Sequence, residues 1–475
     1  MTNRKRKRRK ERAAQMAQAA REAAAASIDE LELDEAEAPD EENENGSSDA
    51  HDSSPSQVDP NGSELDRDTK IQELAEPPVV ANTHQPAETH DKPKDTVPEA
   101  SHEFSLSEER NLVEILNRVF CELDKNHDNV LSRPEIDMAV IDRHLEAEDA
   151  VGVSVLKSTF EEVKDLHKEG WFARKNGVTL ADLLAFEQII LMEGQAVKRT
   201  DHEKMRESVR ITTRHAQRAL RAHRKLYANM DNPEKSIRPE AIRQGIVGDC
   251  YFLSALASIA STNPAMIKWM ITPLEDNYYQ VVFAGCMEAP IVVQEPTAVE
   301  LALYAKVSEY GMWPAVIEKA YGVFLQQHRK IKTVIPAAAA DAAESVYEAF
   351  DLLTGQMGHW EALPLLSNEK LKEILDSAFK ERRAVAAATP PGKNGYTAES
   401  KLPAQHAFSV IGWNPRKEEI TLRNPWGRVS DMCTIFENAD GIFTINVNLF
   451  RRNFIALYYE DWAPDENIED GDLPI

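Results

Sequence analysis

The sequence predicts an α+β fold with a helical front and a mixed rear, and three features carry that reading. Residues 1 to 103 contain no Phe, Trp or Tyr. From Phe104 to Tyr227 apolar residues recur at helical spacing. From about Ser236 the texture changes to Pro, Gly, aromatics and short β-rich runs (YYQVVFAG, APIVVQE, HAFSVIGW, EEITLRN), alternating with helical stretches such as WPAVIEKAYGVFLQQH.

Taken in order, the first segment has a basic head (RKRKRRK), an alanine-rich stretch, an acidic run and then Ser, Pro and Thr. Such a composition cannot bury enough apolar surface to offset its ordering entropy, so a disordered tail is expected over 1–103. The basic head reads as a nuclear import signal or as a solubilising, acid-binding tail, and both readings stand. Alanine and charge follow it rather than an apolar run, which does not match a secretory signal. SLSEERNLVEILNRVFCEL then places Leu112, Ile115, Leu116, Val119, Phe120 and Leu123 on one helical face, with Ser105 and Glu108 forming a capping box. Residues 150 to 195 are also helical in pattern. The run TDHEKMRESVRITTRHAQRALRAHRKLY predicts a long basic helix within 197–236. It reads as a solvated linker, or alternatively as a peripheral surface for a membrane or an acidic partner. Residues 466–475 read as an acidic tail.

The whole chain has 475 residues and a net charge of −25, which argues against a nucleic-acid surface as its main business. Its four cysteines (Cys121, Cys250, Cys286 and Cys433) are too sparse for a disulfide framework and lack CxxC spacing. A reducing compartment is expected, cytoplasmic or nuclear. No apolar run approaches the ~20 residues of a membrane helix.

Just after the first helix comes DKNHDNVLSRPE. Asp124, Asn126 and Asp128 supply side-chain oxygens at alternate positions, Val130 offers its carbonyl, Ser132 acts through water, and Glu135 closes the loop in a bidentate way. Leu131 falls where an apolar residue would bridge to a partner loop. The pattern resembles an EF-hand, which implies Ca2+ as ligand. The family's glycine at the sixth position is Asn129 here, and Asn tolerates the left-handed backbone needed there. Pro134 falls in the first turn of the exiting helix, where its missing N–H costs little. The competing reading is an Asx-rich turn between two helices. EF-hands pair, and RKNGVTLADLLAF offers a partner that lacks the ligand ladder, with Asp182 as a remnant of the terminal acidic ligand.

QGIVGDCYFL places Cys250 at the mouth of an apolar helix, where the macrodipole favours a thiolate. Gly245 and Gly248 let the preceding chain turn sharply and approach a substrate backbone. Gln244 can donate to an oxyanion together with the Cys250 backbone N–H. Asp249 alone would raise the thiol pKa, so an imidazole from elsewhere is needed. His406, at the head of QHAFSVIGW, is the candidate base. NPRK reads as a turn, and EEITLRNPWG as a second strand ending at Asn424. Paired as a hairpin, the two runs would bring His406 and Asn424 to one rim. The amide there would fix the imidazole tautomer, and Trp426 would wall the cleft and shield the bond.

QGIVGDCYFL, HAFSVIGW and RNPWG together resemble the calpain family of papain-like cysteine proteases, with MWPAVIEKAYG, FDLLTG and VAAAT as supporting runs over about residues 237–465. The resemblance implies a papain-like two-lobe core: a helical lobe over 237–345 holding Cys250 and a β-rich lobe over 346–465 holding His406 and Asn424, with the EF-hand-like module (104–196) in front. It implies Cys250 as nucleophile, His406 as general base and acid, Asn424 as orienting residue and Gln244 as oxyanion donor. The implied activity is an intracellular, calcium-linked endopeptidase acting on protein or peptide substrates through an acyl-enzyme. Tyr251 stands where the family usually has Trp, and the stretch between Cys250 and Trp313 is shorter than is typical. No calcium site of the protease core itself is carried over. Two rivals remain at this point: other thiol acyl transfer, and a calcium-binding scaffold or sensor with a silent calpain-like domain.

Overall fold

A computed structural model describes residues 105–167, 177–191, 200–222, 224–342, 345–392, 395–397, 400–428 and 440–461. The tail expected over 1–103, the acidic segment over 466–475, and Cys433 lie outside the described residues.

Helix α1 (Leu106–Leu123) starts at the Ser105–Glu108 capping box and buries Leu112, Ile115, Leu116, Val119, Phe120 and Leu123, the face its periodicity predicts. After it come β1 (Val130–Ser132), α2 (Arg133–Val140) with Pro134 in its first turn, α3 (Ala147–Ser158), α4 (Phe160–Val163), β2 (Gly177–Thr179) and α5 (Leu180–Leu191). Strands β1 and β2 pair antiparallel with Leu131 opposite Val178, both fully buried. The expected apolar bridge between two successive helix–loop–helix units is therefore present.

Helix α6 (Thr200–Arg221) carries the basic run. It departs from the solvated linker its charge suggests. Met205, Val209, Ala216 and Ala219 are buried, and the helix packs against α3 on one side and the next lobe on the other. Arg206 and Arg210 reach the buried carboxylate of Glu109 at 3.1 and 3.5 Å. Its arginines occupy one face, and an apolar stripe spaced every three to four residues occupies the other.

Helix α7 (Cys250–Thr262) is buried from Tyr251 to Ala260, as its all-round apolarity demands. Around it stand α8 (Pro264–Met270) and a three-stranded sheet of β3 (Ile271–Pro273), β4 (Tyr278–Val281) and β5 (Ile291–Gln294), followed by α9 (Ala298–Leu303), α10 (Trp313–His328) and α11 (Val346–Thr354). One hydrophobic core runs continuously from the helical module through this lobe to Leu353 and takes in Ala384, Ala386 and Ala407 of the following sheet. Helix α11 packs both on the Cys250 helix and on strands β6 and β11. The second core belongs to β6 (Met357–Ala362), α12 (Asn368–Lys380), β7 (Val385–Ala388), β8 (Ala407–Asn414), β9 (Glu419–Arg423), β10 (Ile442–Asn446), α13 (Val447–Asn453) and β11 (Ala456–Asp461). Its sheet is antiparallel throughout, in the order β10-β9-β8-β7-β11-β6. Among the described residues no helix is long and apolar enough to cross a membrane.

Candidate active site

Strands β8 and β9 form the predicted hairpin, turning at Asn414 to Glu418. His406 precedes the first residue of β8 and Asn424 follows the last residue of β9, so the pairing carries both to one rim. The His406 Nε2 lies 2.9 Å from Asn424 Oδ1, and Trp426 packs beside the imidazole with ring centroids 4.6 Å apart. Phe408 closes the other side edge-on at 5.0 Å. With Nε2 engaged by a carbonyl acceptor, the ring carries its proton there and leaves Nδ1 as the basic nitrogen.

Helix α7 docks its polar seam on the same sheet. Ser409 Oγ donates to the Ser254 carbonyl at 2.9 Å, and the Val385 N–H donates to Ser258 Oγ at 2.8 Å. The helix headed by Cys250 thereby packs along β8, the strand that His406 precedes. His406 and Asn424 are thus paired beside the strand on which the Cys250 helix packs. Gln244 lies in the preceding loop, and its backbone N–H donates to the Pro425 carbonyl, next to Asn424, at 2.7 Å. Its Nε2 donates to the Val247 carbonyl at 2.6 Å, which holds the carboxamide in one orientation. A Cβ at Gly245 would lie 2.0 Å from the Leu303 carbonyl oxygen, so only glycine allows this approach.

Burial pushes the Cys250 thiol up to about 11, reinforced by Asp249 and opposed by the Ala407 N–H. Burial pulls the His406 imidazole down to about 4, opposed by Asn424. The resting pair is therefore neutral at pH 7.

The depressed histidine has a consequence for acid stability. The unfolded ring takes a proton near pH 6.5 and the folded ring near 4. Between those values the unfolded state holds more protons, so stability is complete above 6.5 and is lost as pH falls toward 4. Buried His215, lowered to about 3 by burial and then by Lys306, acts in the same direction. We expect His406→Gln to abolish roughly 2 kcal/mol of the stability lost between pH 7 and pH 5, measured as urea midpoints. Identical pH slopes in the two proteins would refute the assignment.

Three supports of the site escape a reading of motifs. Thr389, at the end of VAAAT, exchanges bonds with His406: the His406 N–H donates to its Oγ1 at 3.1 Å and its own N–H donates to the His406 carbonyl at 2.9 Å. The residue before the histidine, Gln405, sits at φ +50°, which turns the chain into β8. Arg423, the first letter of RNPWG, is fully buried beside Asn424. Only an arginine in a strand of otherwise apolar inward positions hints at it beforehand.

In the loop after α1, Asp124, Asn126 and Asp128 are gathered. Asp124 accepts the N–H groups of Asp128 and Asn129 at 3.2 and 2.9 Å, and Asp128 accepts that of Val130 at 2.8 Å. Asn129 takes the left-handed conformation at φ +61°. Glu135 is not with them: its carboxylate accepts from the Ser132 N–H and Oγ at 2.8 and 2.7 Å in the cap of α2. Among the described residues no three acidic, histidine or cysteine side chains converge as a metal cluster. Asp182 repeats the Glu135 arrangement, accepting from the Thr179 N–H and Oγ1 and from the His167 N–H. Residues 168–176 of that second loop lie outside the described residues.

Residues 206–440 match the profile of the calpain family cysteine protease. Similar proteins include the calpain-type cysteine protease DEK1 of Arabidopsis thaliana, 24% identical over 254 residues (46% of this chain, 11% of that protein). Calpain-13 of Rattus norvegicus is 25% identical over 258 residues (46% and 36%), and the calpain-2 catalytic subunit of Bos taurus 25% over 270 (48% and 37%). The alignments thus span little more than a third of those relatives at most. The family match covers the lobe that supplies Gln244 and Cys250 and the hairpin that supplies His406 and Asn424, and residues 206–440 are a calpain-family cysteine protease domain.

Proposed function

We propose that this chain is a calcium-linked cysteine endopeptidase of reducing compartments such as the cytoplasm, cutting extended segments of other proteins. Cys250 is the nucleophile, His406 its base and the acid for the leaving amine, Asn424 the orienting residue and Gln244 the oxyanion donor. The observation that supports this reading is the 2.9 Å bond between His406 and Asn424 beside the strand on which the Cys250 helix packs. Asp124, Asn126, Asp128, the Val130 carbonyl, Ser132 and Glu135 form an all-oxygen donor set on an EF-hand-like loop, which suits a hard cation such as Ca2+. Holding it would require Glu135 to leave its bonds to Ser132. The ion would supply a structural cross-link between the loop and α2. Helix α2 in turn meets the protease lobe, where Thr297 Oγ1 donates to the Val140 carbonyl at 2.6 Å.

The test is labelling of the full chain by an epoxysuccinyl thiol probe across a calcium series, with Asp124→Ala alongside. We expect labelling at Cys250 that rises with calcium in the native chain, with the rise shifted to higher calcium in the variant. Calcium binding by calorimetry with unchanged labelling would remove the regulatory link. No labelling at any calcium concentration would favour a scaffold with a silent protease domain.

A further inference from the structure

We propose that Arg423 is a positioning residue: its guanidinium latches the Ile242 carbonyl across the seam between the lobes and so keeps Gln244 in register with Cys250, His406 and Asn424. This rests on reading that centre as a peptidase. Residues 242 to 246 are a seam strand bonded alternately to the two lobes. Toward the Cys250 lobe, the Arg243 carbonyl accepts from the Lys306 N–H at 2.7 Å and the Ile246 N–H donates to the Leu303 carbonyl at 2.8 Å. Toward the His406 lobe, the Gln244 N–H donates to the Pro425 carbonyl at 2.7 Å and Arg423 Nη2 donates to the Ile242 carbonyl at 2.6 Å. Gly427, at φ +70°, admits the Arg243 side chain where a Cβ would meet its Cγ at 2.7 Å. If the lobes part, the two bonds toward the His406 lobe and the Arg243–Asp440 pair at 3.3 Å are the ones that break.

Arg423 is an expensive way to fill that space. It is fully buried in β9 between Ser409 and Ile442, and among the described residues its Nε and Nη1 have no hydrogen-bond partner. Burial draws its pKa down to about 10, with Glu240 and Asp440 opposing and Arg243 adding to the drop. A buried guanidinium with unmet donors is worse for stability than an apolar residue of equal volume. Its single bond goes to the carbonyl two residues ahead of Gln244, which is the work that accounts for it.

The experiment uses the full chain with calcium and two variants, Arg423→Met and Arg423→Lys. Alkylation of Cys250 by iodoacetamide needs the thiol and its base but develops no oxyanion, whereas cleavage of a fluorogenic peptide amide needs all three. We expect Arg423→Met to lower kcat about 30-fold, with KM and alkylation each within about threefold of the native chain. Arg423→Lys should recover part of kcat. Adding Arg423→Met to Gln244→Ala should lower kcat no further. Alkylation falling in step with kcat, or kcat unchanged, overturns the latch. If the methionine variant does not fold, the lysine variant carries the same comparison between alkylation and kcat. A native chain that neither alkylates at Cys250 nor cleaves peptide overturns the peptidase reading instead, so the two failures are distinct.

Discussion

Cys250→Ala is expected to lower peptide cleavage by a factor on the order of 10⁴ or more while leaving the fold intact. The thiol is the only group at the helix mouth able to form an acyl intermediate. Removing one sulfur from a half-buried position leaves the apolar body of α7 in place. His406→Ala should cost nearly as much, and the double variant little more, because nucleophile and base act as one unit. The measurement is kcat/KM on a peptide amide, with urea unfolding as the control for the fold. Residual cleavage within tenfold of the native chain would move the chemistry elsewhere. Among the described residues the other thiols are exposed Cys121 and half-buried Cys286, and neither is near an imidazole–amide pair.

Lys319→Met is expected to cost about 3–5 kcal/mol of folding stability, the largest effect we foresee away from the reacting groups. Glu300 in α9 is fully buried. It accepts from Lys319 Nζ at 2.6 Å, from the Thr297 N–H at 2.8 Å and from the Tyr304 hydroxyl at 3.0 Å. Methionine matches the volume of lysine but leaves that carboxylate without its cation. Adding Glu300→Gln should restore much of the loss, since two neutral groups of similar shape remove the uncompensated charge. Urea midpoints at constant m-value decide it. A loss below 1 kcal/mol would mean that Glu300 takes up a proton or finds another partner. The effect should extend to catalysis, because the Leu303 carbonyl at the end of α9 holds the Ile246 N–H in the loop that carries Gln244.

Local chemistry explains what could be read before any coordinates. The Ser105 cap, the apolar face of α1, the Asn129 turn and the β8–β9 hairpin each depend on residues within a few positions of one another. The His406–Asn424 pair was legible for a different reason: its members head and end two runs that pair as a hairpin. The fate of the basic helix was not legible. Charge dominates α6, and nothing local reveals that its sparse apolar stripe has α3 and α9 to pack against. Glu135 was assigned by spacing to the loop, yet the nearer donors on Ser132 hold it in the cap.

Patterns of period and spacing thus determined the capped helix α1, the Asn129 turn and the β8–β9 hairpin, since propensity, capping and turn formation act over a few residues. Long-range packing set what those patterns cannot encode: that the helical module and the Cys250 lobe share one core, and that α11 belongs to it. It also set the use of buried Arg423 as a tie between lobes. Those outcomes depend on which surfaces meet across more than a hundred residues of chain, and burial and charge compensation are defined only once they have met.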